Sequence, residues 1–187
     1  MKIITGTAKG KTLRTLPSDD TRPTSERIKE AMFSSIQFDI ESRRVLDLFA
    51  GSGQLGLEAL SRGALSCTFI DSSREAIEIV KANIAHTGFA DKSKTLVSDA
   101  ANYVRKASGK QTFDLVFIDP PYKLQCAVDL LLKIEKAGIL ADGAIVVIES
   151  GEEVIDTERL PSFEVTKSKQ YGKKTALNIF LYHKAED

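Results

Sequence analysis

Four consecutive residues suit chemistry on a flat group that carries an amine: Asp119, Pro120, Pro121 and Tyr122. They directly follow 113–118, a stretch apolar but for Asp114 that reads as a buried strand. Proline has no N–H, so neither Pro120 nor Pro121 can donate to a sheet ladder. They offer rigid geometry and bare carbonyl oxygens instead. Beside them stand a negative acceptor, Asp119, and a flat ring, Tyr122. Acceptors can grip the protons of an amine while the ring stacks on its plane. The plain alternative is a strand-to-helix turn in which Asp119 caps the next helix.

A second cluster lies upstream. Gly51, Ser52, Gly53 and Gly56 follow a predicted strand over 45–49 and open a predicted helix. Glycines there let backbone approach a ligand beyond the carboxyl ends of an α/β sheet. Asp71 stands twenty residues after Gly51, at the end of the next strand, where a carboxylate can take a ribose's two hydroxyls. A nucleotide-like cofactor follows, although the same glycine spacing serves NAD enzymes. Two features favour S-adenosylmethionine. Asp47, inside the strand before the glycines, can hold amides of the glycine turn or meet the cofactor's ammonium, and would repel a pyrophosphate. Ser98, Asp99 and Ala100 close the third strand, where Asp99 can bond the adenine amine or cap the following helix.

Strands over 45–49, 67–70, 95–97, 115–118 and 144–148 alternate with helices over 55–60, 76–84, 100–106 and 124–136. Gly88 suits the left-handed end of the second of these helices. Such alternation predicts a parallel sheet covered by helices on both faces. The end differs: 165–171 and 175–182 flank Gly172, Lys173 and Lys174 and read as an antiparallel hairpin. At the start, short strands at 3–5 and 12–14 predict a small hairpin. Ile28, Ala31, Met32 and Ile36 mark one face of a helix, with Thr24 or Ser25 as its N-cap. The predicted fold is α/β: a doubly wound, mostly parallel seven-stranded Rossmann-like sheet with a C-terminal antiparallel hairpin. The N-terminal hairpin and helix, residues 1–40, form an extension to a main domain over 41–187.

The chain of 187 residues has a net charge of zero, unevenly spread. Residues 1–29 hold seven Lys/Arg against three Asp/Glu, and 165–184 hold five lysines and no acid, leaving an acidic middle. Basic ends suggest a polyanionic partner. Candidate contacts are Lys9, Lys11, Arg14, Arg22 and Arg27 at one end and Lys167, Lys169, Lys173 and Lys174 at the other. Arg22 and Arg27 bracket a helix start at Pro23 and Thr24, a place suited to phosphate. Cys67 and Cys126 lie far apart and read as small core residues, and His86 and His183 as surface or helix-end histidines. No metal is expected. No apolar run approaches a membrane span and no signal-peptide core opens the chain, so the expectation is a reduced, cytoplasmic protein.

Taken in order, Asp47-x-Phe49-x-Gly51-x-Gly53-x-x-Gly56, Asp71, Asp99 and Asp119-Pro120-Pro121-Tyr122 resemble the motifs of the class I methyltransferases. Arg22-Pro23-Thr24, the run Leu46-Asp47-Leu48-Phe49-Ala50-Gly51-Ser52-Gly53 and Lys169-Gln170-Tyr171-Gly172 narrow the likeness. They resemble the RsmD-type family, which methylates small-subunit (16S) ribosomal RNA at the exocyclic N2 of a guanine. Tyr122, where some members carry Phe, and Gln54, often Ala, depart from the pattern without disturbing it. The resemblance implies S-adenosylmethionine held by Asp47, Phe49, Ala50, Gly51, Ser52, Gly53, Gly56, Asp71, Ser72, Asp99, Ala100 and Asp119. It implies catalysis by Asp119, Pro120, Pro121 and Tyr122. Ribosomal RNA, free or in an assembly intermediate, would then be the partner of the basic ends and of Pro23 and Thr24. A monomer is the expectation, with the oligomeric state left open. From the residues alone, adenine N6 is as good an acceptor as guanine N2, and a non-catalytic assembly factor of the same fold is the alternative of another class.

Overall fold

The computed structural model describes residues 1–16, 23–121, 126–151, 155–172 and 175–184, with the side chains of 23–25 left aside. Arg22, Tyr122, Lys173, Lys174 and the side chains of Pro23 and Thr24 therefore lie outside the described residues.

Seven strands form one sheet: β1 (Arg44–Asp47), β2 (Ser66–Asp71), β3 (Ser93–Val97), β4 (Phe113–Ile118), β5 (Leu140–Ser150), β6 (Phe163–Tyr171) and β7 (Thr175–Tyr182). Their spatial order is β3-β2-β1-β4-β5-β7-β6. The first five are parallel, and β7 enters antiparallel between β5 and β6. Among the described residues five α-helices cover the sheet: α1 (Pro23–Ser35), α2 (Gln54–Ser61), α3 (Arg74–Thr87), α4 (Ala100–Ala107) and α5 (Ala127–Ala137). The central strands are buried on both faces over 115–118 and 144–148, which explains their apolar runs there. One core lies under α1, α2 and α3, with Phe33, Leu57 and Phe69 fully buried. The other lies under α4 and α5, around Leu46, Val116 and Leu131.

The strand sequence is as predicted, and Gly88 ends α3 in the left-handed region at φ 86°. Five details differ. The helix of the extension begins at Pro23, so Thr24 and Ser25 sit inside its first turn rather than at its cap; proline suits that first position because its missing N–H would have had no partner. On its face Phe33 is fully buried and Ala31 only half-buried, while Lys29 joins the interior at 3% exposure. The predicted N-terminal hairpin is a turn-rich loop closed by one antiparallel bridge, Lys2 to Thr12. Helix α5 starts at Ala127, the expected residues 124 and 125 lying outside the described set. Cys67 is buried as expected, whereas Cys126 is half-buried at the start of α5.

The N-terminal segment is welded to α2 by polar bonds. Glu58, fully buried, accepts from the backbone N–H of Ile4 at 2.7 Å and of Thr5 at 3.0 Å. It also pairs with Lys29 at 3.2 Å and Arg62 at 2.8 Å. Gly6 passes so close to Ser61 that a Cβ would lie 1.7 Å from its carbonyl oxygen, leaving no room for any other residue. Ile3, Ala8 and Leu13 enter the same core as the sheet.

Candidate active site

Parallel pairing brings the motif residues to one edge. Asp47 lies opposite Phe69 of β2 and opposite Phe117 of β4. Asp71 and Asp119 each follow two residues after those partners, so β1, β2 and β4 deliver three carboxylates to the carboxyl end of the sheet. Strand order reverses between β1 and β4, the crevice where ligands of open α/β sheets bind.

The glycine turn is built by tertiary contacts. Gly51 and Gly53 adopt φ 53° and 79°, the left-handed region that favours glycine. A Cβ on Gly51 would meet no described atom within 4 Å, so that face of the turn is open. Gly56 serves another purpose: a Cβ there would strike Phe69 at 2.3 Å and Cys67 at 2.5 Å, so its absence lets α2 lie against β2. Asp71 clamps the turn, one carboxylate oxygen accepting from Gly51 N at 2.9 Å and the other from Ser73 N at 2.8 Å. Each oxygen keeps a second lone pair for a ligand hydroxyl.

Asp47 is the site's distinctive group. It is 1% exposed, and one oxygen accepts from Gly56 N at 3.1 Å, while Oδ1 is buried without a hydrogen-bond partner among the described residues. Burial, reinforced by the nearby charge of Asp71, pushes its carboxyl up to about 7 despite the amide bonds from Gly56 and Phe49. Of the two roles predicted for it, holding the turn is the one the structure displays; Oδ1 is enclosed and presents no surface to a ligand. A carboxylate bonded to the first turn of α2 would, when ionised, repel a pyrophosphate placed at that helix start. The site therefore fits an adenosyl cofactor with a cationic amino-acid end. Asp47, the backbone around Gly51, Asp71 and the exposed Ser72 would hold it.

Asp99 caps α4, accepting from Asn102 N at 3.0 Å, so the cap is the role the structure displays. Ala100 behind it is buried, as are Ala50 and Ser52, and Phe49 lies in the turn beyond the end of β1 rather than within the strand. Asp119 is half-buried, Pro120 buried and Pro121 exposed. The position before α5 is Cys126, so Asp119 is not the cap of the next helix.

The basic candidates divide. Lys9, Arg14, Arg27 and Lys169 are exposed, the last with its ammonium 5.3 Å from the centre of the Tyr171 ring. Lys11 is bound to the end of α3, donating to the carbonyls of His86 at 2.9 Å and Thr87 at 3.3 Å. Lys167 reaches Ser35 at the end of α1. Sequence reasoning missed Glu58 and Asn83, although each is a polar residue within a predicted helix at a position its apolar neighbours mark as buried. Among the described residues no His, Cys, Asp and Glu group is placed to hold a metal, and no helix is long and apolar enough to cross a membrane.

Sheet order, the antiparallel β7, the glycine turn and the three carboxylates define the S-adenosylmethionine-dependent class I methyltransferases. A family model described as "Conserved hypothetical protein 95" matches residues 1–180. The Bacillus subtilis protein YlbH is 36% identical over 92% of this chain and 94% of its own. Ribosomal RNA small subunit methyltransferase D of Escherichia coli K12 is 35% identical over 80% of this chain and 74% of its own. The solved structure of the Escherichia coli protein yhhF, 30% identical, covers 99% of both chains with a TM-score of 0.85. The chain belongs to this family, that of ribosomal RNA small subunit methyltransferase D.

Proposed function

We propose that this protein moves the methyl group of S-adenosylmethionine to the exocyclic N2 amine of a guanine in small-subunit ribosomal RNA. The observation that carries the reading is the position of Asp119 and Pro120 at the carboxyl end of β4, across the switch point from Asp47 and the glycine turn. The name of the Escherichia coli relative supports the substrate class.

A purine's exocyclic amine is a poor nucleophile because its lone pair is delocalised into the ring. The carboxylate of Asp119 and the carbonyl of Pro120 would accept its two N–H bonds and favour the pyramidal form, with the lone pair directed away from them. Tyr122 would stack on the base and fix its plane. The contribution is orientation, not covalent catalysis. The bound cofactor supplies an electrophilic methyl group. Asp119 can take the proton that the nitrogen then sheds, directly or through water. A stacked or paired guanine must be turned out to reach these groups.

Lys9, Arg14, Arg27 and Lys169 would hold phosphates, which position RNA without reading its sequence. The same reading puts the enzyme in the cytoplasm, acting as a monomer on free ribosomal RNA or on a subunit assembly intermediate. The test incubates the protein with labelled S-adenosylmethionine and ribosomal RNA, assembly intermediates or DNA, followed by nucleoside mass spectrometry. N2-methylguanosine is the expected product. N6-methyladenosine, or no transfer to any of them, overturns the assignment.

A further inference from the structure

Asn83 sits on α3 among the buried residues Ala76, Ile77, Val80 and Ile84, and is itself 1% exposed. Its side-chain amide makes three hydrogen bonds, all to backbone. Nδ2 donates to the carbonyl of Ser52 at 2.8 Å and to that of Arg14 at 2.9 Å, while Oδ1 accepts from Arg14 N at 2.8 Å. Two carbonyls face one end of the amide and an N–H the other, so its orientation is dictated by its partners. The amide acts toward Arg14 as a neighbouring strand would, and its remaining proton reaches the glycine turn.

Nearby bonds hold this bridge in place. Thr87 Oγ1 donates to the carbonyl of Asn83 at 2.7 Å, and Lys11 binds the last carbonyls of α3. The segment around Lys11 to Arg14 thus lies along the end of α3, and one buried side chain connects it to Ser52, itself 3% exposed. An apolar residue would fill the same space in the core of α3 but leave the Ser52 carbonyl and both backbone groups of Arg14 without this partner. What it would lack is a link between two segments that face different ligands: the turn for an adenosyl cofactor, and the exposed Lys9 and Arg14 for phosphate.

We propose that Asn83 is a positioning residue that couples the glycine turn to the basic N-terminal segment, so that cofactor and RNA strengthen each other's binding. This rests on the reading that Lys9 and Arg14 contact RNA. A ligand on the turn restrains the Ser52 carbonyl and, through the amide, both backbone groups of Arg14. The second ligand then meets a segment that has already lost that freedom, and the effect is reciprocal.

The experiment titrates S-adenosylhomocysteine, which has no methyl group to transfer, into the full chain with and without saturating small-subunit ribosomal RNA. RNA is expected to tighten its binding on the order of tenfold. Asn83→Asp, which presents an oxygen where Nδ2 donates, is expected to reduce that ratio to one, with affinity for either ligand alone kept within several-fold. A merely structural role would weaken both affinities and leave the ratio intact. A wild-type ratio of one, or an unchanged ratio in the variant, overturns the proposal. A measurement on the unaltered protein stands if the variant does not fold: hydrogen exchange of the Arg14 amide is expected to slow when S-adenosylhomocysteine binds, and unchanged exchange overturns the coupling. Wild-type protein that fails to bind the RNA refutes the substrate assignment instead, and the Arg14 amide still decides the link.

Discussion

Two buried carboxylates flank the same glycine turn and are treated in opposite ways. Glu58, one side of α2, has two backbone amides and two cations around it within 2.7–3.2 Å. Asp47, at the end of β1, is as deeply buried but has one oxygen with no partner among the described residues and a carboxyl pushed up to about 7. A buried charge whose every lone pair is used is scaffold: its work is to fasten the N-terminal segment and α1 to α2. A buried carboxyl left half-paired is costly to ionise, and such groups cluster at functional sites. Three of the scaffold acid's four partners lie far off in sequence, the fourth being Arg62, while the site acid is bonded mainly by its own turn.

This division can be broken most severely at the catalytic edge. Asp119→Ala is expected to lower methyl transfer on the order of a thousandfold, the scale for removing one well-placed polar group from a reacting centre. S-adenosylhomocysteine affinity should stay within several-fold. Single-turnover kinetics beside calorimetry will check this, and near-normal turnover would remove Asp119 from the site. Glu58→Ala should do the reverse, leaving Lys29 buried without its partner. A loss of about 3–5 kcal/mol in urea unfolding is expected. A loss below about 1 kcal/mol would mean that Glu58 is no scaffold.

The pH dependence sharpens the contrast at Asp47. Its carboxyl is raised on folding, so between about pH 4, the unfolded value, and about 7, the folded value, the native protein holds a proton that the unfolded chain releases. Its contribution to stability is full below that window and is lost as pH rises through it. The slope approaches about 1.4 kcal/mol per pH unit. Asp47→Asn should flatten the slope and weaken S-adenosylhomocysteine binding; an unchanged slope in urea titrations at pH 5, 6 and 8 would count against a buried protonated Asp47. The smallest effect belongs to the exposed cations. Lys9→Ala with Lys169→Ala should make RNA binding less sensitive to salt, the logarithmic slope falling by about one for each phosphate no longer neutralised. Identical slopes would free those residues from the interface.

Much of the fold was legible in the residues alone. The central strands announced themselves by apolar runs, because strands buried on both faces have little choice of residue. Gly51, Gly53 and Gly56 marked the turn, since a left-handed backbone and a 2.3 Å approach exclude a side chain. The bonds that assemble the site were not legible. Glu58 meets Ile4 and Thr5 across 54 and 53 residues, and Asn83 meets Arg14 across 69. No local period encodes such a partner. A lone polar residue on an apolar helix face was the only trace of either. Asp71 read as a ribose ligand, and its bonds to Gly51 and Ser73 were invisible because they depend on how β2 sits beside the turn.

By itself, then, the sequence determined the alternation of elements, the glycines that the turn requires, and the acceptor-and-proline run beyond β4. Hydrophobic period and backbone sterics are local properties, written residue by residue. The tertiary structure decided which carboxylates are spent on the scaffold and which keep an unpaired oxygen among the described residues. Desolvation and pairing depend on neighbours that only the packed sheet and helices bring within 3.0 Å.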